Sequence, residues 1–169
     1  MQSALFDKIN MSNIDFTEEN NNPTRYYNIN DVSNGTSGTL YGDWDNKSGG
    51  GGYFMTVIEM AAVNAFFEHS NEIVSDEART IIKDNYLGLD SYFDGDNREQ
   101  HGKYFGKNGS IGNSSNINVS QGVLTQIQMF PASGVEIAVM VNTRAVTYKT
   151  GFGNFLRSSI KDAYNDAWE

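Results

Sequence analysis

An α+β fold, an antiparallel sheet with packed helices, is the class this sequence predicts, and three patterns predict it. Two helical stretches occupy the middle of the chain, two segments of strand character follow at 123–130 and 135–142, and an amphipathic stretch closes it. Helices before and after a hairpin, without the regular alternation that builds a parallel sheet, belong on or beside antiparallel strands.

The elements follow in order. Residues 4–9 place Ala4, Leu5, Phe6 and Ile9 as one or two turns of amphipathic helix, with Asn10 to close them. Residues 13–48 are rich in Asn, Gly, Ser, Thr and Asp and carry Tyr26, Tyr27, Tyr41 and Trp44, which reads as a long irregular connection pinned by rings. A connection of that length is expected to line a site or to pack on something further. After Ser48-Gly49-Gly50-Gly51-Gly52-Tyr53, Thr56 and Glu59 have the spacing of a capping box. The helix it starts, 57–67, is apolar on nearly every face and so is expected to be buried between other elements.

A second helix is expected to start at Ser75, with Asp76 and Glu77 at its positive end and Ala78, Ile81 and Ile82 facing inward. Turn residues fill 88–102. The hairpin turns around Pro131-Ala132-Ser133-Gly134. Its second strand puts Val135, Ile137, Val139 and Val141 on one face and Glu136, Ala138, Met140 and Asn142 on the other, with Asn142 ending a central strand. In the last helix Phe152, Phe155, Leu156, Ile160, Ala163, Tyr164, Ala167 and Trp168 form a stripe expected to lie on the sheet, with the two earlier helices to the side. The chain, 1–169, reads as a single domain.

Composition excludes several functions. Twelve Lys and Arg against 21 Asp and Glu give a net charge of −9, which repels a phosphate backbone, so no nucleic-acid partner is expected. The absence of cysteine removes disulfides, thiolate nucleophiles and Cys-based zinc sites, and leaves the redox compartment open. Two isolated histidines, His69 and His101, argue against an all-His metal site. No stretch approaches the roughly 20 apolar residues of a membrane span, and the first ten residues lack the pattern of a signal peptide. The chain is expected to be soluble; an export signal in a longer parent would lie outside it.

Four stretches carry a resemblance. The first, Ala4-Leu5-Phe6-Asp7-Lys8-Ile9-Asn10-Met11 with Ser12 and Phe16, is similar to a Pro-Leu-Gly-Met segment, with Lys8 for the proline and Asn10 for the glycine. The second, Gly50 to Thr56 and on through Glu59-Met60-Ala61, is similar to a glycine-led helix start ending in Asp-Met-Ala, with Glu59 for the aspartate. Gly106-Lys107-Asn108-Gly109 sits where a Lys-Thr-Gly or His-x-Gly triad would stand, and 122–131 with 134–142 matches a final hairpin ending in asparagine. Residues 110–121 then read as an insertion. In this order the stretches resemble the C-terminal half of the serine β-lactamase-like family, which includes class C β-lactamases, D-alanyl-D-alanine carboxypeptidases and esterases.

The resemblance implies a partial β-lactamase/transpeptidase-like fold and a parent that performs acyl transfer on a peptide, β-lactam or ester, with no metal and no organic cofactor. It makes Lys107, Asn108 and Gly109 the substrate-cleft candidates: the Lys107 ammonium would bind a substrate carboxylate, and Asn108 would offer an amide to the same group. It also places the Ser-x-x-Lys nucleophile and the Tyr-x-Asn motif before the first marker, so no complete catalytic set is expected and the chain should be inactive alone. The alternative is a stand-alone, non-catalytic binding or interaction module that keeps the cleft wall for a small-molecule or peptide ligand. Sheet surface that the missing part would cover is expected to drive homo-oligomer formation.

Several motifs read as structure. Ser158 and Lys161 have nucleophile spacing but are expected on the solvated side of the last helix; Tyr26-Tyr27-Asn28 comes too late in the chain and reads as a loop anchor. His101 reads as an exposed loop residue, and His69 as a partner for the negative end of its helix. Asp94, Asp96 and Glu99 lack the spacing of a 12-residue calcium loop, and Gly49 to Gly52 lacks the lysine of a phosphate-binding loop. Asn34, Asn46, Asn108, Asn113 and Asn118 match glycosylation acceptors, as an Asn-rich chain does by chance.

Overall fold

Strand alternation builds the centre of the protein. The computed structural model describes residues 2–11, 14, 24–40, 52–92, 104–112, 121–143 and 152–167. Within them β1 (Asp90–Tyr92), β2 (Tyr104–Gly112), β3 (Gly122–Phe130) and β4 (Val135–Val141) form one antiparallel sheet in the order β1-β2-β3-β4. The helices are α1 (Ile29–Asn34), α2 (Val57–His69), α3 (Asp76–Asp84) and α4 (Phe152–Asp166). The class is α+β, as expected, and the β3–β4 hairpin turns at Gly134, whose φ of 68° is open to glycine without strain.

One face of the sheet carries α4. Tyr104, Phe130, Ile160 and Tyr164 form the buried cluster, with Val135, Ile137 and Val139 packed against it. Phe130 and Tyr164 stack with ring centroids 3.9 Å apart, and Tyr104 lies 5.2 Å from Phe130. The Tyr164 hydroxyl donates to Ser133 Oγ at 2.6 Å, which ties the helix to the hairpin turn. Leu156, Ile160 and Tyr164, spaced by four, are the buried stripe of α4. Ala163 and Ala167, expected in it, are exposed.

The opposite face carries α2. Glu136 alternates away from Val135 and Ile137, and its carboxylate meets His69 at the end of α2 at 2.6 Å. The two middle helices therefore do not both lie to the side: α2 covers β4 and β3 from behind and makes a third layer. The capping box is formed as its spacing predicts, with Glu59 N donating to Thr56 Oγ1 at 3.1 Å and Thr56 N donating to Glu59 Oε2 at 2.6 Å. Burial all round α2 is not found, because the sheet covers one side of the helix only; Ile58 is 77% exposed and Asn64 is its one buried residue.

Ser75 caps α3, accepting from Ala78 N at 3.2 Å. Ala78 and Ile82 are half-buried, but Ile81 is exposed and Arg79 takes the inward position. The Arg79 guanidinium donates to the carbonyls of Phe67, Ser70 and Val74 and pairs with Asp76, so it satisfies backbone acceptors at and beyond the end of α2. At the N-terminus, helical turns over Gln2–Phe6 and Asp7–Ile9 are closed by Asn10, as expected, and its φ of 58° is left-handed. The connection is less irregular than its composition suggested, since 24–40 contains α1, and the turn-rich 88–102 contains β1.

Candidate functional site

Lys107, Asn108 and Gly109 lie on β2, opposite Ile127, Gln126 and Thr125 of β3. β1 pairs only with Tyr104, Phe105 and Gly106, so its cover stops where the candidate stretch begins. Among the described residues, 107–112 have no strand on their outer side. Two glycines bound the pair. At Gly106 an added Cβ would stand 2.5 Å from the Ile127 carbonyl oxygen, and at Gly109 it would collide with Thr125 Oγ1, so β2 and β3 approach more closely here than side chains permit.

Alternation separates the three candidates. Lys107 and Gly109 face the side of the sheet that carries α2, and Asn108 faces the side that carries α4. The Lys107 and Asn108 side chains therefore do not converge on one group. The Lys107 side chain is 51% exposed and its Nζ lies 3.5 Å from Asp90 Oδ1, an ion pair worth about 0–1 kcal/mol at such exposure. The ammonium is thus held loosely over the β1 end and stays within reach of an incoming anion. Asp90 and Thr125 complete this local geometry, and nothing in the sequence around them announces it.

Ser158 and Lys161 lie on α4, which rests on the sheet face opposite to Lys107. Both are half-buried rather than fully solvated, and Lys161 Nζ is 3.8 Å from Asp162 Oδ1. The sheet stands between this pair and Lys107, so the two do not form one site.

Tyr26-Tyr27-Asn28 is an anchor. Tyr26 bridges to Thr39, and Tyr27 bridges to Gly122 and Thr143 at the open end of the hairpin. Asn142, one residue past β4, joins the same junction: its Nδ2 donates to the Arg25 carbonyl at 3.0 Å and its carbonyl accepts from Tyr27 N at 3.0 Å. The strand before it is the outermost of the sheet, not a central one. Asn28 Oδ1 accepts from Asn30 N and Asp31 N, which starts α1. Asp31 accepts from Asn28 N at 2.9 Å and from Gln121 Nε2 at 2.6 Å, and Gln121 Oε1 accepts from Thr39 Oγ1 at 2.7 Å. The Asn28 amide, then Gln121, then Thr36 hold the Asp31 carboxyl below its ordinary value of 3.8.

His69 ends α2 as expected, bonded to Glu136. His101, Asp94, Asp96, Glu99, Asn46, Asn113, Asn118 and 49–51 lie outside the described residues. Among the described residues no three His, Cys, Asp or Glu side chains gather as a metal site. No helix among them is long and apolar enough to cross a membrane. No protein-family model, curated protein or solved structure matches the chain.

Proposed function

We propose that the chain forms the C-terminal, substrate-facing portion of a serine β-lactamase-like hydrolase and performs no acyl transfer alone. The observation that carries this reading is the placement of Lys107. It stands on an antiparallel strand just past the cover of β1, between two glycines that draw the strands together, and is followed by a hairpin and a terminal helix lying on the sheet. That order supports the four sequence markers taken together. In this role the Lys107 ammonium attracts a substrate carboxylate as a point charge, Gly109 keeps the strand surface flat beside it, and Asn108 contributes through the backbone of the strand.

Acyl transfer also needs a nucleophile beside a base and facing the bound carbonyl. The one Ser-x-x-Lys spacing in the sequence is Ser158 and Lys161, on the far side of the sheet from Lys107. The purified chain is therefore expected neither to hydrolyse chromogenic β-lactams and acyl esters nor to gain mass with a penicillin. A stoichiometric adduct that disappears in Ser158→Ala overturns the reading. The half-exposed Lys107 also favours a second reading, a binding module without chemistry. Chemical-shift changes around 107–109 on adding a penicillin, lost in Lys107→Ala and without any adduct, would single it out.

A further inference from the structure

The chain contains two Asn-Gly pairs, Asn34-Gly35 and Asn108-Gly109, and the fold treats them in opposite ways. In such a pair the glycine backbone nitrogen attacks the asparagine Cγ. The new N–Cγ bond closes a succinimide, the Cγ–Nδ2 bond breaks, and ammonia leaves. Water then opens the ring at either carbonyl, leaving aspartate or isoaspartate, with no oxidant or enzyme. Glycine favours the attack because it has no Cβ to obstruct the ring and rotates freely. An ordered backbone resists it, because the segment must first open.

Asn108 and Gly109 are held in the middle of β2, paired with Gln126 and Thr125, and a Cβ added at Gly109 would collide with Thr125 Oγ1. Asn34 is the last residue of the six-residue α1. Gly35 follows it with a φ of 65° and nothing within 4 Å of the place a Cβ would take, and 34–37 are exposed. We propose that Asn34 is a site of spontaneous deamidation and that the conversion loosens the junction formed by 24–40. The product carboxylate stands one turn after Asp31 and at the negative end of α1, where both the like charge and the helix dipole oppose it. Asp31 is the acceptor that joins Asn28, Thr36 and Gln121, so repulsion there acts on the contact between 24–40 and the start of β3.

The test uses the folded chain held at mildly alkaline pH, with timed samples digested, weighed and labelled by an isoaspartate methyltransferase. Conversion at Asn34 is expected to run at least about tenfold ahead of Asn108, and the two rates should converge in urea, where the strand no longer protects its pair. Equal rates in the folded chain, or an intact Asn34, overturn the site. Asn34→Asp is expected to speed hydrogen exchange at the Tyr27 amide, and unchanged exchange there overturns the consequence.

Discussion

The two faces of the sheet are held by different physics. Beneath α4, stacked rings and aliphatic side chains exclude water, and Tyr104, Phe130, Ile160 and Tyr164 are each at most 5% exposed. Behind the sheet Phe105 and Met129 are buried too, and polar contacts are added to them: His69 bonds Glu136, Lys83 pairs with Glu68, and Arg79 donates to three carbonyls. Lys83 also sits 5.6 Å above the Phe105 ring, so even the aromatic contact there is with a cation. Salt screens exposed ion pairs and acts much less on buried ones; His69, beside Glu136, is half-exposed, whereas Lys83, Glu68 and Arg79 are largely buried. The α4 face, with its stacked rings, should carry most of the stability, and the salt dependence behind the sheet should be small and centred on the His69–Glu136 contact.

The largest test of that contrast is Phe130→Ala. Phe130 is 1% exposed and lies between Tyr104 and Tyr164, so the variant loses both stacks and leaves a cavity, a cost of about 3–5 kcal/mol in urea denaturation. A loss below that of the charged variants would reverse the assignment of the two faces. Next comes Arg79→Met. Its side chain is 11% exposed, and removing the guanidinium strands the carbonyls it satisfies, at about 2–4 kcal/mol. A neutral outcome would mean that water replaces it.

Legibility in the sequence follows the same division. The α4 face was readable, because period-two alternation in 135–141 and spacing by four in Leu156, Ile160 and Tyr164 are properties of neighbouring residues. Gln126 and Gln128 show where pattern fails: both are fully buried on that face, although glutamine is ordinarily a surface residue. Gln128 Nε2 reaches the Arg157 carbonyl at 3.3 Å, a partner 29 residues away that no local pattern announces. The inward turn of Arg79 was hidden for the same reason, since its acceptors belong to the end of another helix. At the candidate site, the resemblance to a Lys-Thr-Gly triad pointed to Lys107 to Gly109, but only the register revealed that Lys107 and Asn108 face opposite ways.

Glu136→Gln should have a smaller effect. His69 is 53% exposed on its side chain, so losing the carboxylate costs about 0–1 kcal/mol. The informative reading is the slope under acidic conditions that protonate histidine: raising salt should there weaken the native chain slightly and leave this variant less changed. Parallel slopes would show that the pair contributes contact but no net electrostatics.

The smallest effect lies outside both faces, at Asp31, and it separates the loop junction from the sheet. The folded-state pKa of Asp31 is lowered, so around its titration the unfolded chain binds more protons than the folded one, and stability from this group rises with pH. The contribution is complete above the ordinary value of 3.8 and is lost as pH falls through the lowered folded value. Asp31→Asn keeps the shape but not the charge, so its junction should be looser at neutral pH and should lack this acid step. Tyr26 and Tyr27 report on it directly, because their amides donate to Thr39 and Asn142 across the junction. Hydrogen exchange, corrected for intrinsic rates, should show their protection falling in the native chain as the pH drops below 3.8 and staying level in Asp31→Asn. A matching fall at β3 amides would mean that the junction and the sheet open together, which would erase the distinction between a core held by burial and a loop held by one carboxylate.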